Sequence, residues 1–302
     1  MEKLIKLALT QTSLGRLIGK VPFVSEIYMK KIWSKRMNLF YGLHDNVDSA
    51  EDWSAKFSSA GWNDGALAKL LVDRDDVGRG DGGGSMQASQ FAVLLWLSKL
   101  LKPDMTILDL GGAGGVFYEI SKHHNLLTDS QHWHVVDMPR MVELGRKRHA
   151  KLKSTGISFG TKLGAAPASD IMLALGCIQY MRDPLGQSGP GFLDELEKAP
   201  DYVIVNKIPV WNKPDAWTSQ GFITTACPYR IFNRNRLEDY FGARGYTIAS
   251  SWHVPELDLR VPFHPECSLD HFEGFLATRD AREASAVATP LPASRRRKRH
   301  LA

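Results

Sequence analysis

The sequence predicts an α/β fold: a Rossmann-like, doubly wound, mostly parallel sheet with an N-terminal helical extension. Three observations carry that prediction. From Met105 onward short apolar strands alternate with helical patterns, the signature of a sheet covered on both faces. The first of those strands runs straight into Gly111-Gly-Ala-Gly-Gly115. One βαβ step later, a second strand, His-Trp-His-Val-Val, ends in an acid, Asp137.

Taken in order, residues 4–21 place Leu4, Leu7, Ala8, Leu14, Leu17, Ile18 and Val21 near one helical face, with Lys3, Lys6, Arg16 and Lys20 on the rest. This pattern predicts an amphipathic helix that docks on the protein's own core, on a second subunit in a homodimer, or on an anionic membrane surface. We set residues 1–40 as a basic helical extension and residues 41–102 as a helical lead-in with helices over Ser49–Phe57 and Gly65–Val72. Gly78-Arg-Gly-Asp-Gly-Gly-Gly84 reads as a loop, because such glycine density costs backbone entropy inside an element. Ser85 reads as an N-cap for a helix running to about Leu101 and stopped by Pro103.

Residues 103–280 form the predicted α/β domain. Its strands are expected at Thr106–Leu110, His134–Val136, Ile171–Leu175, Tyr202–Val205 and Thr247–Trp252. Crossover helices are expected at Val116–His123, Arg140–Leu152, Gly191–Glu197 and Arg236–Gly242. Residues 281–302, rich in Ala, Pro and Ser and ending in Arg295-Arg-Arg-Lys-Arg-His300, read as a disordered basic tail.

Charge is informative once located. Residues 1–36 hold eight Lys/Arg against Glu2 and Glu26, and residues 281–302 hold six against Glu283, although the whole chain carries only +5. The body between the ends is therefore mildly acidic, which argues against nucleic acid as a partner. Cys177, Cys227 and Cys267 are far apart, suggesting neither a disulfide framework nor a zinc site. His253, His264 and His271 fit no standard metal spacing, so no metal is expected. The longest apolar runs fall short of a membrane span, and Lys6 interrupts the only signal-like stretch. The expected location is the cytoplasm, with peripheral contact at the inner membrane face open through the basic ends.

The glycine turn carries the chemistry. A strand entering a glycine-rich turn and then a helix lets a ligand approach bare backbone amides at the helix N-terminus. Asp109, two residues before the first glycine, would repel a pyrophosphate, and Phe117 stands where a dinucleotide fingerprint wants its third glycine. A cofactor with an α-ammonium and a sulfonium suits that carboxylate better, which points to S-adenosylmethionine held at Asp109, Gly111, Gly112, Ala113 and Gly114. Tight strand–helix packing is the plainer reading of the same glycines. Asp137 can accept the ribose hydroxyls with Met138 against the adenine, or it can cap the next helix; the two roles can coexist. Gly176, Cys177, Gln179 and Tyr180 follow the fourth strand and are aimed at the site by topology, although Cys177 also fits a plain buried thiol.

These residues resemble a family of bacterial class I S-adenosylmethionine-dependent methyltransferases often encoded among surface-polysaccharide genes. The likeness spans about residues 41–252. It rests on Tyr41-Gly with Trp53, Gly61-Trp-Asn, Leu108-Asp-Leu-Gly-Gly, Trp133-His-Val-Val-Asp-Met-Pro with Gly145-Arg, Leu175-Gly-Cys-Ile-Gln-Tyr180, Gln220, Cys227-Pro-Tyr-Arg-Ile-Phe-Asn233 and Gly245-Tyr246. The resemblance implies the fold and the cofactor but no specific acceptor. In that family Glu is usual where Asp137 stands and Arg where Lys207 stands; the second difference alters hydrogen-bond geometry toward a substrate.

The expected activity is methyl transfer to a small-molecule or glycan acceptor, O-directed, with Tyr180, Lys207, Tyr229 and Arg230 as candidate catalytic residues and Gln220 and the three histidines as further groups for a base. Two rivals stand beside it. One is an NAD(P)-dependent oxidoreductase; the other is a non-catalytic binding subunit on a methyltransferase fold.

Overall fold

The protein is described by a computed structural model covering residues 13–19, 21–33, 37–57, 61–72, 86–222 and 225–279. The Gly78–Gly84 loop, Ser85 and the tail 281–302 lie outside the described residues.

The larger sheet has seven strands. Five are parallel: β2 (Thr106–Leu110), β3 (His132–Val136), β4 (Ile157–Gly160), β5 (Ile171–Leu175) and β6 (Tyr202–Ile208). The hairpin β10 (Thr247–Val254) and β11 (Phe272–Thr278) completes the edge, β11 running antiparallel to β6 and to β10. The spatial order is β10-β11-β6-β5-β2-β3-β4. From β2 the chain therefore winds one way through β3 and β4 and the other way through β5 and β6. The reversal lies between β2 and β5, where an open α/β sheet binds ligands. β2 and β5 are covered on both faces: Ile107, Leu108, Ile171, Met172 and Leu173 have no exposure.

The covering helices are α5 (Ala88–Leu100), α6 (Val116–His123), α7 (Pro139–Leu152) and α8 (Arg234–Gly242), numbered after the N-terminal α1 (Ser13–Gly19), α2 (Pro22–Lys31), α3 (Val47–Ala55) and α4 (Gly65–Val72). α4, α6, β2 and β5 have the bounds expected from sequence. α5 begins at Ala88 rather than at Ser85, and its first turn is closed by Gln90 Oε1 accepting from the Gln87 amide at 2.8 Å. Gly191–Glu197 is not a helix but a run of turns, pinned where Phe192 N donates to the Pro184 carbonyl and Leu193 N to the Tyr240 hydroxyl, both at 2.9 Å. Of the helix expected over residues 4–21, residues 4–12 and 20 lie outside the described residues and Ser13–Gly19 is helical; a second helix, α2, follows and opens on Pro22, whose missing amide suits a first helical position.

A second, four-stranded sheet was not expected from sequence. It orders β1 (Met37–His44), β8 (Ala216–Phe222), β9 (Ala226–Asn233) and β7 (Val210–Trp211) as β1-β8-β9-β7. β1 runs through the boundary we set at residues 40/41 and pairs antiparallel with β8, Tyr41 opposite Ser219. Its partners β8 and β9 are inserted between β6 and α8, so this sheet stands beyond the carboxyl ends of the main strands.

Candidate functional site

The strand β2 ends in Asp109-Leu110, and the chain then turns through Gly111 (φ +69°), Gly112, Ala113 (φ +50°), Gly114 and Gly115 (φ +82°) into α6. Gly111 is required twice over. Its φ lies in the left-handed region, and a Cβ there would sit 2.4 Å from the Cβ of Cys177 in the loop after β5. The two loops that flank the reversal point thus touch. At Gly112 a Cβ would fall 2.3 Å from an Asp109 carboxylate oxygen, so that glycine leaves the acid room beside bare backbone.

Asp109 is 1% exposed and accepts from the Trp133 indole at 3.2 Å. Burial, only partly offset by that hydrogen bond and increased by the nearby Asp137 charge, pushes its carboxyl up to about 7. Asp137 follows β3 at the same end of the sheet. Its Oδ2 accepts from Ala113 N at 2.7 Å and its Oδ1 from Met138 N at 2.6 Å, while desolvation raises its carboxyl to about 6. Neither oxygen caps α7, whose N-cap, Met138, makes no side-chain cap. The capping alternative is thereby set aside, and Asp137 ties strand β3 to the glycine turn through the strained Ala113.

Beside Asp137 lies an apolar cavity of about 490 Å³. Asp137, Met138, Gly111, Ala113, Gly176 and Cys177 line it together with Tyr180. A second cavity of about 260 Å³ shares Gly111 and Ala113 with the first and adds Asp109, Gly112, Asn206 and Lys207. Of the residues expected at a cofactor, Gly114 and Gln179 line neither. Gln179 is buried with its amide donating to the Lys207 carbonyl at 3.4 Å, and its Oε1 has no hydrogen-bond partner. Burial, together with the charges of Asp137 and Asp109, raises the Cys177 thiol well above its ordinary value. It stays protonated near neutral pH, half-buried at the cavity wall rather than in the core.

The candidate catalytic residues divide. Tyr180 lines the cavity and donates its hydroxyl to Gln220 Oε1 at 2.5 Å. Tyr229 is buried behind it, their rings edge-on at 5.0 Å. Burial raises both phenols well above their ordinary value, so they are donors and not bases near neutral pH. Lys207 ends β6 in a left-handed conformation (φ +57°) with Nζ 2.6 Å from Gln87 Oε1. Arg230 does not belong with them. Neighbours in a strand point to opposite faces, and Arg230, fully buried, turns from Tyr229's side to pair with Asp215 at 2.5 Å, with a further bond to Gln187. The histidines are likewise elsewhere: the His253 and His271 rings meet tilted by 33° with centroids 3.9 Å apart, and His264 lies 3.4 Å from Glu266.

Sequence reasoning missed Trp62, Met141, Thr161 and Leu163, all of which line the larger cavity. Thr161 stands just past β4, so recognising Ile157–Gly160 as a strand would have aimed it at the site. It also missed His149, which is buried under the turn: Nε2 donates to the Gly114 carbonyl at 2.8 Å and Nδ1 faces Ser154 Oγ at 2.9 Å. A carbonyl partner fixes the proton on Nε2, and burial lowers the imidazole's affinity for a second one. Among the described residues no group of three or more His, Cys, Asp or Glu side chains is arranged to hold a metal ion, and no helix is long and apolar enough to cross a membrane.

No protein-family model and no curated protein sequence matches the chain. Solved structures do. The chain is similar to a SAM-dependent methyltransferase from Aquifex aeolicus (16% identity, TM-score 0.47, 72% of this chain and 99% of that one). It is similar to the 1,6-didemethyltoxoflavin-N1-methyltransferase of Burkholderia thailandensis, solved with 1,6-didemethyltoxoflavin and S-adenosylhomocysteine bound (16% identity, TM-score 0.46, 80% and 93%). It is also similar to an amino pentose methyltransferase of Micromonospora echinaspora involved in calicheamicin biosynthesis, solved with SAM bound (14% identity, TM-score 0.38, 66% and 93%).

Proposed function

We propose that the chain is an S-adenosylmethionine-dependent methyltransferase acting on a small-molecule or glycan acceptor, with a hydroxyl oxygen as the methylated atom. One observation carries the reading: two carboxylates, the buried Asp109 and the half-buried Asp137, flank a backbone turn at the reversal point of the sheet. Each is held with its pKa raised and without a cationic side chain among the hydrogen bonds it accepts. A polyphosphate brought there would meet two acids, whereas an ammonium or sulfonium would offset their desolvation.

The residues fit the cofactor. Asp109 and the amides of 111–114 would hold its amino-acid end, Asp137 its ribose hydroxyls through the lone pairs that its two amide bonds leave, and Met138 with Met141 and Leu163 its adenine. When bound, the cofactor would supply an activated methyl group, leaving as S-adenosylhomocysteine while the acceptor's hydroxyl proton is released to bulk water. Tyr180, protonated with its hydroxyl hydrogen engaged by Gln220, orients the acceptor by accepting a hydrogen bond from the acceptor's hydroxyl. Lys207, steadied by Gln87, supplies a positive charge on the neighbouring wall. The apolar lining excludes water from the crevice.

Titration calorimetry with S-adenosylhomocysteine tests the assignment. Binding is expected, weakened by Asp109→Ala and by Asp137→Ala at least about tenfold each, about 1.4 kcal/mol. Unchanged affinity in both variants, or stabilisation by NAD(P) and not by S-adenosylhomocysteine, refutes it.

A further inference from the structure

Two short helices at the start of the described chain bury one face and leave the other bare. The buried side is well fixed. Gly19 sits under the Phe263 ring so closely that a Cβ would lie 2.6 Å from that residue's Cβ. Tyr28 packs on Tyr41 and Phe263, with centroids 6.1 and 5.7 Å away. The Trp33 indole donates to the Leu39 carbonyl at 3.0 Å, and Arg16 pairs with Glu266 at 2.7 Å. These contacts seat α1 and α2 on the folded body.

The other side shows Leu17 at 62%, Phe23 at 61%, Ile27 at 54% and Val21 at 37% exposure. Phe23 and Ile27 are one helical turn apart, and Lys30 and Lys31 follow at the next turn, so one stripe of α2 carries two large apolar side chains and then two ammonium groups. Glu26 pairs with Lys30 at 2.5 Å and leaves the stripe a net positive end. The sequence around it is strongly basic, with eight Lys/Arg against Glu2 and Glu26 in residues 1–36.

We propose that this surface seats the protein on an anionic membrane, with Phe23, Ile27 and Leu17 entering the headgroup–acyl boundary and the lysines meeting lipid phosphates. A large apolar side chain left in water beside clustered positive charge is what an interfacial helix presents, and each Lys near an anionic surface adds favourable attraction. A second copy of the chain fits less well. The basic residues of 1–36 recur in the second copy, so two such faces repel each other, whereas an anionic surface attracts one. The role of this surface is independent of what the crevice binds.

Co-sedimentation of the full chain with phosphatidylcholine vesicles, with and without phosphatidylglycerol, is the test. Binding is expected only where phosphatidylglycerol is present, weakening as salt rises. Phe23→Ser with Ile27→Ser, and separately Lys30→Glu with Lys31→Glu, should each reduce it about tenfold or more while thermal unfolding stays cooperative. Equal binding to neutral vesicles, no binding at all, or binding that survives both pairs (the outcome if the basic residues after 281 act alone) overturns it. Concentration-dependent dimerisation in light scattering that Phe23→Ser abolishes overturns it as well.

Discussion

The imidazole of His149 donates from Nε2 to the carbonyl of Gly114 at 2.8 Å, so a helix two elements away holds the glycine turn from beneath. Replacing it with Ala leaves that carbonyl without its donor in a buried place, which costs about 1–3 kcal/mol, with lost packing against Phe159 and Tyr118 in addition. Urea unfolding should show this loss, and affinity for S-adenosylhomocysteine should fall with it. His149→Gln, which keeps a donor, should lose less of both; equal losses would mean the hydrogen bond contributes nothing.

Stability of the ligand-free protein should depend on pH through Asp109 and Asp137. Both carboxyls rise from an ordinary 3.8, to about 7 and about 6 respectively. A group that holds its proton more tightly when folded contributes stability at low pH that disappears as pH climbs through the folded value. These two acids therefore make the protein less stable at pH 8 than at pH 5, by up to about 1.4 kcal/mol for each tenfold by which folding tightens the hold on a proton. Asp109→Asn should flatten the difference in urea midpoint between those pH values. An S-adenosylhomocysteine affinity that weakens from pH 5 to pH 8 would contradict the proposed role of the two acids, since the charged forms are the ones that bind.

Gly111→Ala should destabilise by about 2–4 kcal/mol, combining the left-handed backbone penalty with overpacking against Cys177. Adding Cys177→Gly should recover only the steric part. Gly65→Ala is the control, since a Cβ there meets nothing within 4 Å and its φ is ordinary; it should be neutral or slightly stabilising. Similar losses at both glycines in a denaturation series would discount the turn.

Arg230→Met should cost about 3–5 kcal/mol, the range for removing one partner of a buried pair, partly relieved because Arg236 also reaches Asp215 at 2.9 Å. Affinity for S-adenosylhomocysteine should not change, because the guanidinium points away from the crevice. A clear drop in affinity at unchanged stability would return Arg230 to the site.

Five of the main sheet's seven strands were legible because they are short apolar runs separated by helical patterns of a different period; β4 and β11 were not. Asp109 and Asp137 were legible because a strand end and a glycine turn fix where an acid must stand. The smaller sheet was not. β8 and β9 bury polar residues, Thr218, Ser219, Gln220 and Arg230, on a background of few exposed positions, so neither alternation nor an apolar run marks them as strands. Arg230 looked like a site residue because its partner Asp215 is one strand away and pairs only in the fold. His149 was not singled out at all for the same reason, its carbonyl partner lying 35 residues earlier.

β1 bears on how the molecule is made. It leaves the ribosome early, yet the residues that complete its edge come far behind: His44 meets Ser219 across 175 residues. At about 5–20 residues per second, β1 waits roughly 10–35 s with its hydrogen-bonding groups open. Through that interval Tyr41 and Phe40 are available to whatever chaperone or neighbouring nascent chain arrives first, so the yield of native protein should track translation speed more steeply than its final stability does.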